Sequence, residues 1–256
     1  MDTPMSFWDH LDVLRATLLR ILAATVAAGI AAFCMKDALF TLVLWPCHAD
    51  FPTWQLLGTE PAAVHLVNTE LTEQLMLHLK VSLVAGVTAA SPYIVCALLA
   101  FVAPALYAHE RRTAYSLVAA AYAMFALGAA VSYLLLFPLT LRFLASYSVS
   151  DAIEPLLSVS SYVDTLAVLT LLLGTMFELP VAAVLLARAG LLRAPWMSHY
   201  RRHAIVAILI VAAVVTPTAD AMTLAIVALP VWLLYEASIL LVHLTTHDTD
   251  NTHTPS

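Results

Sequence analysis

Residues Thr165–Ala187 read TLAVLTLLLGTMFELPVAAVLLA and carry one charged side chain, Glu178. A run of about 20 apolar residues crosses the hydrocarbon core of a bilayer as an α-helix. A carboxylate inside such a helix costs a few kcal/mol, so it usually faces a protein interior or a wet cavity. We therefore expect Glu178 to belong to a functional site. The structural alternative is a neutral carboxyl group that is hydrogen-bonded between helices.

The composition of the whole chain agrees with this reading. Hydrophobic residues make up 62% of the 256 residues, charged residues make up 11%, and the mean hydropathy is +0.90. A soluble domain has about a quarter of its residues charged. The sequence predicts an all-α polytopic membrane protein with an integral membrane domain over 16–244. About six transmembrane helices are expected, near 16–35, 81–108, 113–137, 163–187, 204–215 and 221–244.

The last two predicted helices are short. The fifth segment, 204–215, is the weak one, because its dozen residues at 1.5 Å each make roughly 18 Å, well below the ~30 Å of the hydrocarbon core. Two arrangements are open. The two segments are short spans that thin the bilayer, or they form a re-entrant hairpin around 216–220.

Basic residues predict the orientation. Cytoplasmic loops are enriched in lysine and arginine, and eight arginines flank one set of segment ends. They are Arg15, Arg20, Arg111, Arg112, Arg188, Arg193, Arg201 and Arg202, whereas only Lys36, Lys80 and Arg142 lie near the opposite ends. Both termini are therefore expected in the cytoplasm. Residues 245–256 are expected to form a disordered polar tail.

The segment 1–15 is predicted to be a cytoplasmic amphipathic segment. Its apolar side chains recur at helical spacing, which favours a short helix on the inner membrane surface. The polar face carries Asp9 and Asp12, which would suit a basic ligand, although ordinary solvation explains them equally well.

Prolines within or beside the apolar segments predict kinked helices and a curved, concave wall. These prolines are Pro92, Pro104, Pro138, Pro180, Pro217 and Pro230. Glu178 would lie in the concavity, since it stands two residues before Pro180. At the outer surface, Glu73 and Lys80 lie seven residues apart on one helix face. For these two we expect a structural or partner-docking role.

Other chemistry is not indicated. The three cysteines have no metal or redox spacing, and neither a zinc-protease nor a serine-hydrolase motif is present. We expect no enzyme activity, no metal, no cofactor and no nucleic acid. The competing function is a small-solute or ion secondary transporter that uses Glu178. Against it, the sequence has no internal repeat and no evident buried cation to face that carboxylate.

Several motifs together resemble the TatC family of the twin-arginine protein translocase, over about residues 6–244. Each motif is weak alone, but they agree in sequence, order and membrane placement. They are Phe7-Trp-Asp-His-Leu-Asp-Val-Leu-Arg15, Glu73 with Lys80, Phe101-Val-Ala-Pro-Ala-Leu-Tyr-Ala-His-Glu-Arg-Arg112, Phe177-Glu-Leu-Pro180, Thr216-Pro-Thr-Ala-Asp220 and Leu234-Tyr-Glu236.

The resemblance implies a core and receptor subunit in a prokaryotic cytoplasmic membrane. It would bind twin-arginine signal peptides at the cytoplasmic face and export folded proteins together with single-span TatA/TatB-type subunits. A homo- or hetero-oligomer embedded in membrane lipid is expected. The implied signal-peptide site is Glu110, Asp12, Asp9 and Arg15, and the implied intramembrane polar site is Glu178, Thr216, Asp220 and Thr223. The implied structural motif residues are Pro104, Tyr107, Arg111, Arg112, Pro180, Glu73, Lys80 and Glu236.

The chain departs from the family pattern at a position of the signal-peptide site. Family members usually carry Glu two residues before the motif arginine, where this chain has Val13, and Asp12 stands one position earlier. One residue rotates a side chain by about 100° around a helix, so Asp12 replaces that Glu only if the helix turns or the loop moves. Leu224 and Leu75 also replace the usual Gln and Phe.

Overall fold

The structure is a computed structural model that describes residues 7–59, 65–102, 111–146, 156–188, 190–215 and 221–251. Nearly all of the described residues are helical, which confirms the predicted all-α polytopic class. The helices are α1 (Phe7–Cys34), α2 (Lys36–Leu44), α3 (Pro52–Leu57), α4 (Glu73–Val102), α5 (Arg111–Val131), α6 (Phe137–Ser146), α7 (Val159–Met176), α8 (Leu179–Arg188), α9 (Ala194–His199), α10 (Arg201–Val215) and α11 (Ala221–Asn251).

Five helical stretches within the described residues are long and apolar enough to cross a membrane. They are Leu11–Cys34, Glu73–Leu98, Ser116–Ser146, Val159–Arg188 and Ala221–Leu244. The fifth predicted segment, 204–215, corresponds to α10, whose 15 residues make about 22 Å. This is shorter than the hydrocarbon core, as the sequence predicted for this segment.

Several helix boundaries differ from the prediction. First, α1 is continuous from Phe7, so the amphipathic start and the first span form one helix; no glycine or proline lies between Phe7 and Ala28 to end the first turns. Second, α4 begins at Glu73. Third, α11 continues to Asn251, seven residues into the predicted disordered tail, because those residues include neither glycine nor proline.

At two of the prolines that lie within helical segments, a side-chain hydroxyl takes the place of the missing amide. Pro138 cannot give an amide to the Leu134 carbonyl, and the Thr53 hydroxyl donates to that carbonyl instead. A π-helical segment, Ser132–Leu136, joins α5 to α6 at this point. In α4, the Ser91 hydroxyl donates to the Thr88 carbonyl at 2.8 Å, four residues before Pro92. Side-chain hydroxyls therefore replace the amides that proline lacks, and the third span extends beyond its predicted end at 137.

The chain divides into two compact units, Met1–Leu39 with His78–Ala123 and Phe40–Leu77 with Met124–Ser256. In the first unit, α1 and α4 approach closely at a pair of glycines. A Cβ atom added to Gly86 would lie 2.6 Å from the Gly29 nitrogen. The Phe33 ring stacks on His78 with 3.9 Å between centroids. Small residues thus permit close backbone contact, as is usual between membrane helices.

In the second unit, the segment before α4 packs on the π-helical segment Ser132–Leu136 and on α7. The Tyr162 hydroxyl donates to the Val43 carbonyl at 2.8 Å, and the Tyr133 hydroxyl donates to the Leu42 carbonyl at 2.6 Å. A two-stranded parallel sheet pairs β1 (His65–Val67) with β2 (Leu156–Ser158). The sequence did not predict these strands, because three residues are too few to show alternation.

Candidate functional site

The helix of the fourth span is interrupted at Glu178. Helix α7 ends at Met176 and α8 begins at Leu179. The Glu178 amide donates to the Thr175 carbonyl at 3.1 Å, a tighter turn than the α-helical bond, and the Glu178 carbonyl accepts from Ala182 at 2.9 Å. Pro180 has no amide hydrogen to donate to the Met176 carbonyl, so the regular α-helical hydrogen bonding is interrupted here. The predicted effect of Pro180 therefore locates the break at Glu178.

The Glu178 carboxyl group is half-buried and incompletely satisfied. Its Oε1 atom is buried and has no hydrogen-bond partner among the described residues. A buried polar atom without a partner costs about 1–3 kcal/mol. A guest that brings a hydrogen-bond donor would recover this free energy, so the arrangement can bind a polar group within an apolar surface.

Two interlocked contacts hold the break in place. Phe177 lies against Gly128 of α5, where an added Cβ atom would be 2.8 Å from its Cβ. In the opposite direction, Phe125 lies against Gly174 of α7, where an added Cβ atom would be 2.8 Å from its Cε2. Each glycine receives a phenyl ring from the other helix. This packing fixes the backbone directly before Glu178.

The residues on both sides of the break line an apolar cavity of about 120 Å³. Met176 and Leu179 contribute from α7 and α8, and further lining residues come from α10 and α11. Thr223, predicted for the intramembrane polar site, is fully buried on α11, one turn before the lining residue Val227. The residues that flank Glu178 in the chain therefore contribute to an apolar surface formed by α7, α8, α10 and α11.

Glu236 of α11 forms a two-pronged ion pair with Arg201 of α10. The Arg201 Nε atom lies 2.8 Å from Oε1, and Nη2 lies 2.9 Å from Oε2. The preceding residue, Tyr235, donates its hydroxyl to the Met197 carbonyl at 2.9 Å. Glu236 thus joins α11 to the start of α10. No sequence signal pointed to this pair, because its members are 35 residues apart.

The predicted acidic residues of the amino-terminal segment lie on α1. Asp12 and Arg15 are exposed and stand three residues apart, so they share one side of the helix. Val13, at the position where the family pattern has Glu, is 45% exposed. Asp9 lies one turn before Asp12, and its helical backbone is described while its side chain is not. Asp12 therefore presents a carboxylate to solvent from this helix.

Other predicted residues cannot be placed. Glu110, Pro104, Tyr107, Thr216 and Asp220 lie outside the described residues. Arg111 and Arg112 begin α5, where only the backbone is described. Their assigned roles therefore stay predictions.

Glu73 is 4% exposed and its carboxylate is surrounded by donors. It accepts from the amides of Thr69, Glu70 and Ser160 at 2.6, 3.1 and 2.9 Å, and from the Thr69 hydroxyl at 3.2 Å. Because Ser160 lies in the first turn of α7, the carboxylate also stabilises that helix start. The sequence indicated only a structural or docking role for Glu73. Lys80, its predicted companion, is exposed on α4.

Within the described part of the chain, no three His, Cys, Asp or Glu side chains lie together as a metal site. Cys47 lies in a short 3₁₀ turn, Trp45–Cys47, near the Tyr162 hydroxyl. Burial raises the pKa of the Cys47 thiol, and the nearby Tyr162 hydroxyl partly opposes this shift. Such a thiol is less reactive than an exposed one.

The sequence matches a protein-family model over residues 9–230, and the model is described as Sec-independent protein translocase protein (TatC). Among curated proteins, a Sec-independent protein translocase protein TatC of Deinococcus radiodurans is 34% identical over 91% of this chain and 84% of its own length. A protein of the same description from Aquifex aeolicus is 32% identical over 94% of this chain and 96% of its own length.

A solved structure has a similar fold. It is described as the crystal structure of the twin arginine translocase receptor TatC, with a TM-score of 0.79 and 31% sequence identity. The similarity covers 93% of this chain and 99% of the other. A second structure with the same description, in the detergent DDM, gives a TM-score of 0.78.

Proposed function

The chain belongs to the TatC family of Sec-independent protein translocase proteins, and from this we propose that it is a receptor and core subunit of a twin-arginine translocase. The observation that carries the proposal is the match over residues 9–230. It is a multi-pass membrane protein of a family of translocase components, not of enzymes. We further propose that it resides in a prokaryotic cytoplasmic membrane with both termini in the cytoplasm, as the arginine distribution favours.

We propose that the cytoplasmic ends of the first spans bind the arginine pair of a signal peptide. Guanidinium groups bind carboxylates through paired, charge-assisted hydrogen bonds. Asp12 is an exposed carboxylate on α1, and Glu110 stands at the position of the family's acidic residue. Val13 cannot accept a hydrogen bond through its side chain, so in this chain the second carboxylate would have to come from Asp12 or Asp9.

The break at Glu178 is proposed to dock a transmembrane helix of a single-span partner subunit. Its carboxyl group has an unsatisfied Oε1 atom, and the neighbouring cavity is apolar. A mostly apolar helix with one hydroxyl or amide group matches this combination. Docking would replace lipid with a hydrogen-bond donor, which is favourable for a half-buried carboxyl group. Signal-peptide binding would then bias which partner helix occupies the site.

Photo-cross-linking tests the receptor assignment. A peptide with a twin-arginine motif and a photoreactive group beside it would be added to the protein in nanodiscs, with a twin-lysine peptide as the matched control. We expect cross-links on the 7–15 end of α1 and near Glu110 with the arginine peptide, reduced with the lysine peptide. A secondary transporter would not capture either peptide, and that result would refute the receptor function.

Replacing Glu178 separates partner docking from peptide binding. In Glu178→Ala, cross-links between this site and a partner helix should decrease, while the affinity for the signal peptide stays near that of the unchanged protein. Glu178→Gln retains a polar group and should retain part of the docking. If peptide affinity is lost while docking is intact, the assignment of Glu178 to the partner site is wrong.

A further inference from the structure

Within the second unit, residues 190–200 between α8 and α10 pack against α8 and α11. They include helix α9, whose Ala194 and Met197 are buried against Ala183, Ile239 and Val242. The Met197 carbonyl also accepts the Tyr235 hydroxyl. Gly190, with φ +74°, follows the end of α8 and permits the turn into the loop. The inner side of α9 is therefore packed against the protein, and its outer side is exposed.

That outer side combines exposed aromatic and apolar side chains with arginines. Trp196 is 56% exposed, Tyr200 is 57% exposed and Leu191 is 66% exposed. The Arg193 guanidinium carbon lies 5.9 Å from the centre of the Trp196 ring, within the range of a cation–π contact. We call this surface the α9 surface, formed by Leu191, Arg193, Trp196, Tyr200 and Arg202.

The charge of the α9 surface is not neutralised by the described residues around it. Arg201 is paired with Glu236, but Arg193 and Arg202 are exposed and have no ion-pair partner in the described part of the chain. Arg188, the last residue of the fourth span, is also exposed. The surface therefore has a cationic excess at the end of a membrane-spanning stretch.

From these observations we infer that the α9 surface is a binding site for the headgroup of an anionic phospholipid. Tryptophan and tyrosine favour the level of lipid headgroups, where the ring is partly apolar and the N–H or O–H group remains hydrated. Arginine binds phosphate through paired hydrogen bonds. Trp196 would lie at the glycerol level, with Arg193 and Arg202 toward the phosphate and the anionic headgroup. The charge excess favours lipid over an apolar protein segment, which would leave the arginines without counter-ions.

The site does not depend on the proposed receptor function, since it involves neither the α1 carboxylates nor Glu178. It predicts a preference for an anionic over a zwitterionic lipid. Each arginine near an anionic surface contributes a factor of about five in local binding. We therefore expect an anionic lipid to exceed a zwitterionic lipid about fivefold at this surface for each arginine that engages it.

Fluorescence quenching by brominated lipids tests the inference in nanodiscs. The Trp196 signal is isolated as the difference between the protein and its Trp196→Phe variant. At equal mole fraction, Arg193 and Arg202 together should give brominated phosphatidylglycerol a preference of about 25-fold over brominated phosphatidylcholine at this surface, and so the stronger quenching. In Arg193→Gln the preference should fall about fivefold, to the contribution of Arg202 alone, whereas the control Arg142→Gln, an exposed arginine of α6, should retain the full preference. Thermal unfolding of each variant verifies that it is folded.

Three outcomes would overturn the inference. Equal quenching by both lipids in the unchanged protein would show that the surface does not select a headgroup. Quenching by neither lipid would show that protein or water covers Trp196, as expected if the occupant were an acidic protein segment. Displacement of the brominated phosphatidylglycerol by millimolar glycerol phosphate would show a site for a soluble anion rather than for a lipid.

Discussion

Replacing Gly128 by alanine should destabilise the protein because a single methyl group has no room at this position. The added Cβ atom would lie 2.6 Å from the Leu173 carbonyl oxygen and 2.8 Å from Cβ and Cγ of Phe177, whereas ordinary contacts begin at 3.4 Å. Helix α7 would have to move by about 0.8 Å to remove the overlap. Neither a backbone oxygen nor a Cβ atom can rotate away, so the strain falls on the break before Glu178.

Two opposing effects set the magnitude of the Gly128→Ala change. Overpacking of this kind costs about 1–3 kcal/mol, and the rigid neighbours favour the upper half of that range. Alanine is favoured over glycine within a helix by up to about 1 kcal/mol. The net loss is therefore about 1–2 kcal/mol, which lowers the Tm of a chain of this size by about 3–6 °C.

Thermal unfolding in nanodiscs measures this effect, with Gly29→Ala as the matched control. A Cβ atom on Gly29 would meet its nearest neighbour at 3.5 Å, an ordinary contact, so this variant should keep or raise the Tm. Adding Phe177→Ala to Gly128→Ala should not restore stability, because the overlaps with the Leu173 oxygen and the Cβ atom remain. The reasoning is refuted if Gly128→Ala unfolds at or above the Tm of the unchanged protein.

Three further predictions concern polar groups. Glu73→Gln should increase amide hydrogen exchange at the start of α7, because the Glu73 carboxylate accepts hydrogen bonds from several donors. The control Glu70→Gln, at an exposed neighbouring residue, should leave that exchange unchanged. Equal exchange in the two variants would contradict the role of Glu73. Exchanging the two residues, Arg201→Glu with Glu236→Arg, should change the free energy of unfolding by no more than about 1 kcal/mol, because the ion pair is partly exposed. A loss of several kcal/mol, measured by chemical denaturation, would be inconsistent with this prediction. Because burial raises the pKa of the Cys47 thiol, its alkylation should reach half-maximal rate at a higher pH than that of an exposed cysteine. The free energy of unfolding should decrease as the pH rises from the pKa of this thiol in the unfolded chain to its higher pKa in the folded protein. Coincident alkylation profiles would show that burial does not control this thiol.

Much of the fold could be predicted because membrane helices follow from apolar length. The run around Glu178 and the position of Pro180 predicted both a span and the place where its helix is interrupted. Helix ends were less predictable. Pro138 indicated an end at 137, yet the Thr53 hydroxyl, 81 residues away in sequence from Leu134, supplies the hydrogen bond that the proline cannot. A contact of this kind leaves no local pattern.

The sequence predicted the part of the candidate site at Glu178, because a charged residue within an apolar segment is unusual. It was not predictable where glycine and phenylalanine interlock, since Gly128 and Gly174 look like ordinary helix residues without their partners. The ion pair of Arg201 and Glu236 likewise depends on the packing of α10 on α11. The motifs that resemble the TatC family predicted the membership that the comparisons establish. The signal-peptide roles of Asp12 and Glu110, and the concave wall, stay predictions.

The affinity of a labelled twin-arginine signal peptide for Glu110→Gln and for Asp12→Asn, each against the unchanged protein, tests the central proposal most directly. A lost hydrogen bond between charged groups costs about 1.5–3 kcal/mol, so each variant should bind the peptide about 10- to 100-fold more weakly. Glu70→Gln, which changes an acidic residue expected outside, should bind normally. A twin-lysine peptide should bind weakly to all of them. Equal affinity of the twin-arginine peptide for the unchanged protein and for a variant that carries both Glu110→Gln and Asp12→Asn would contradict the account.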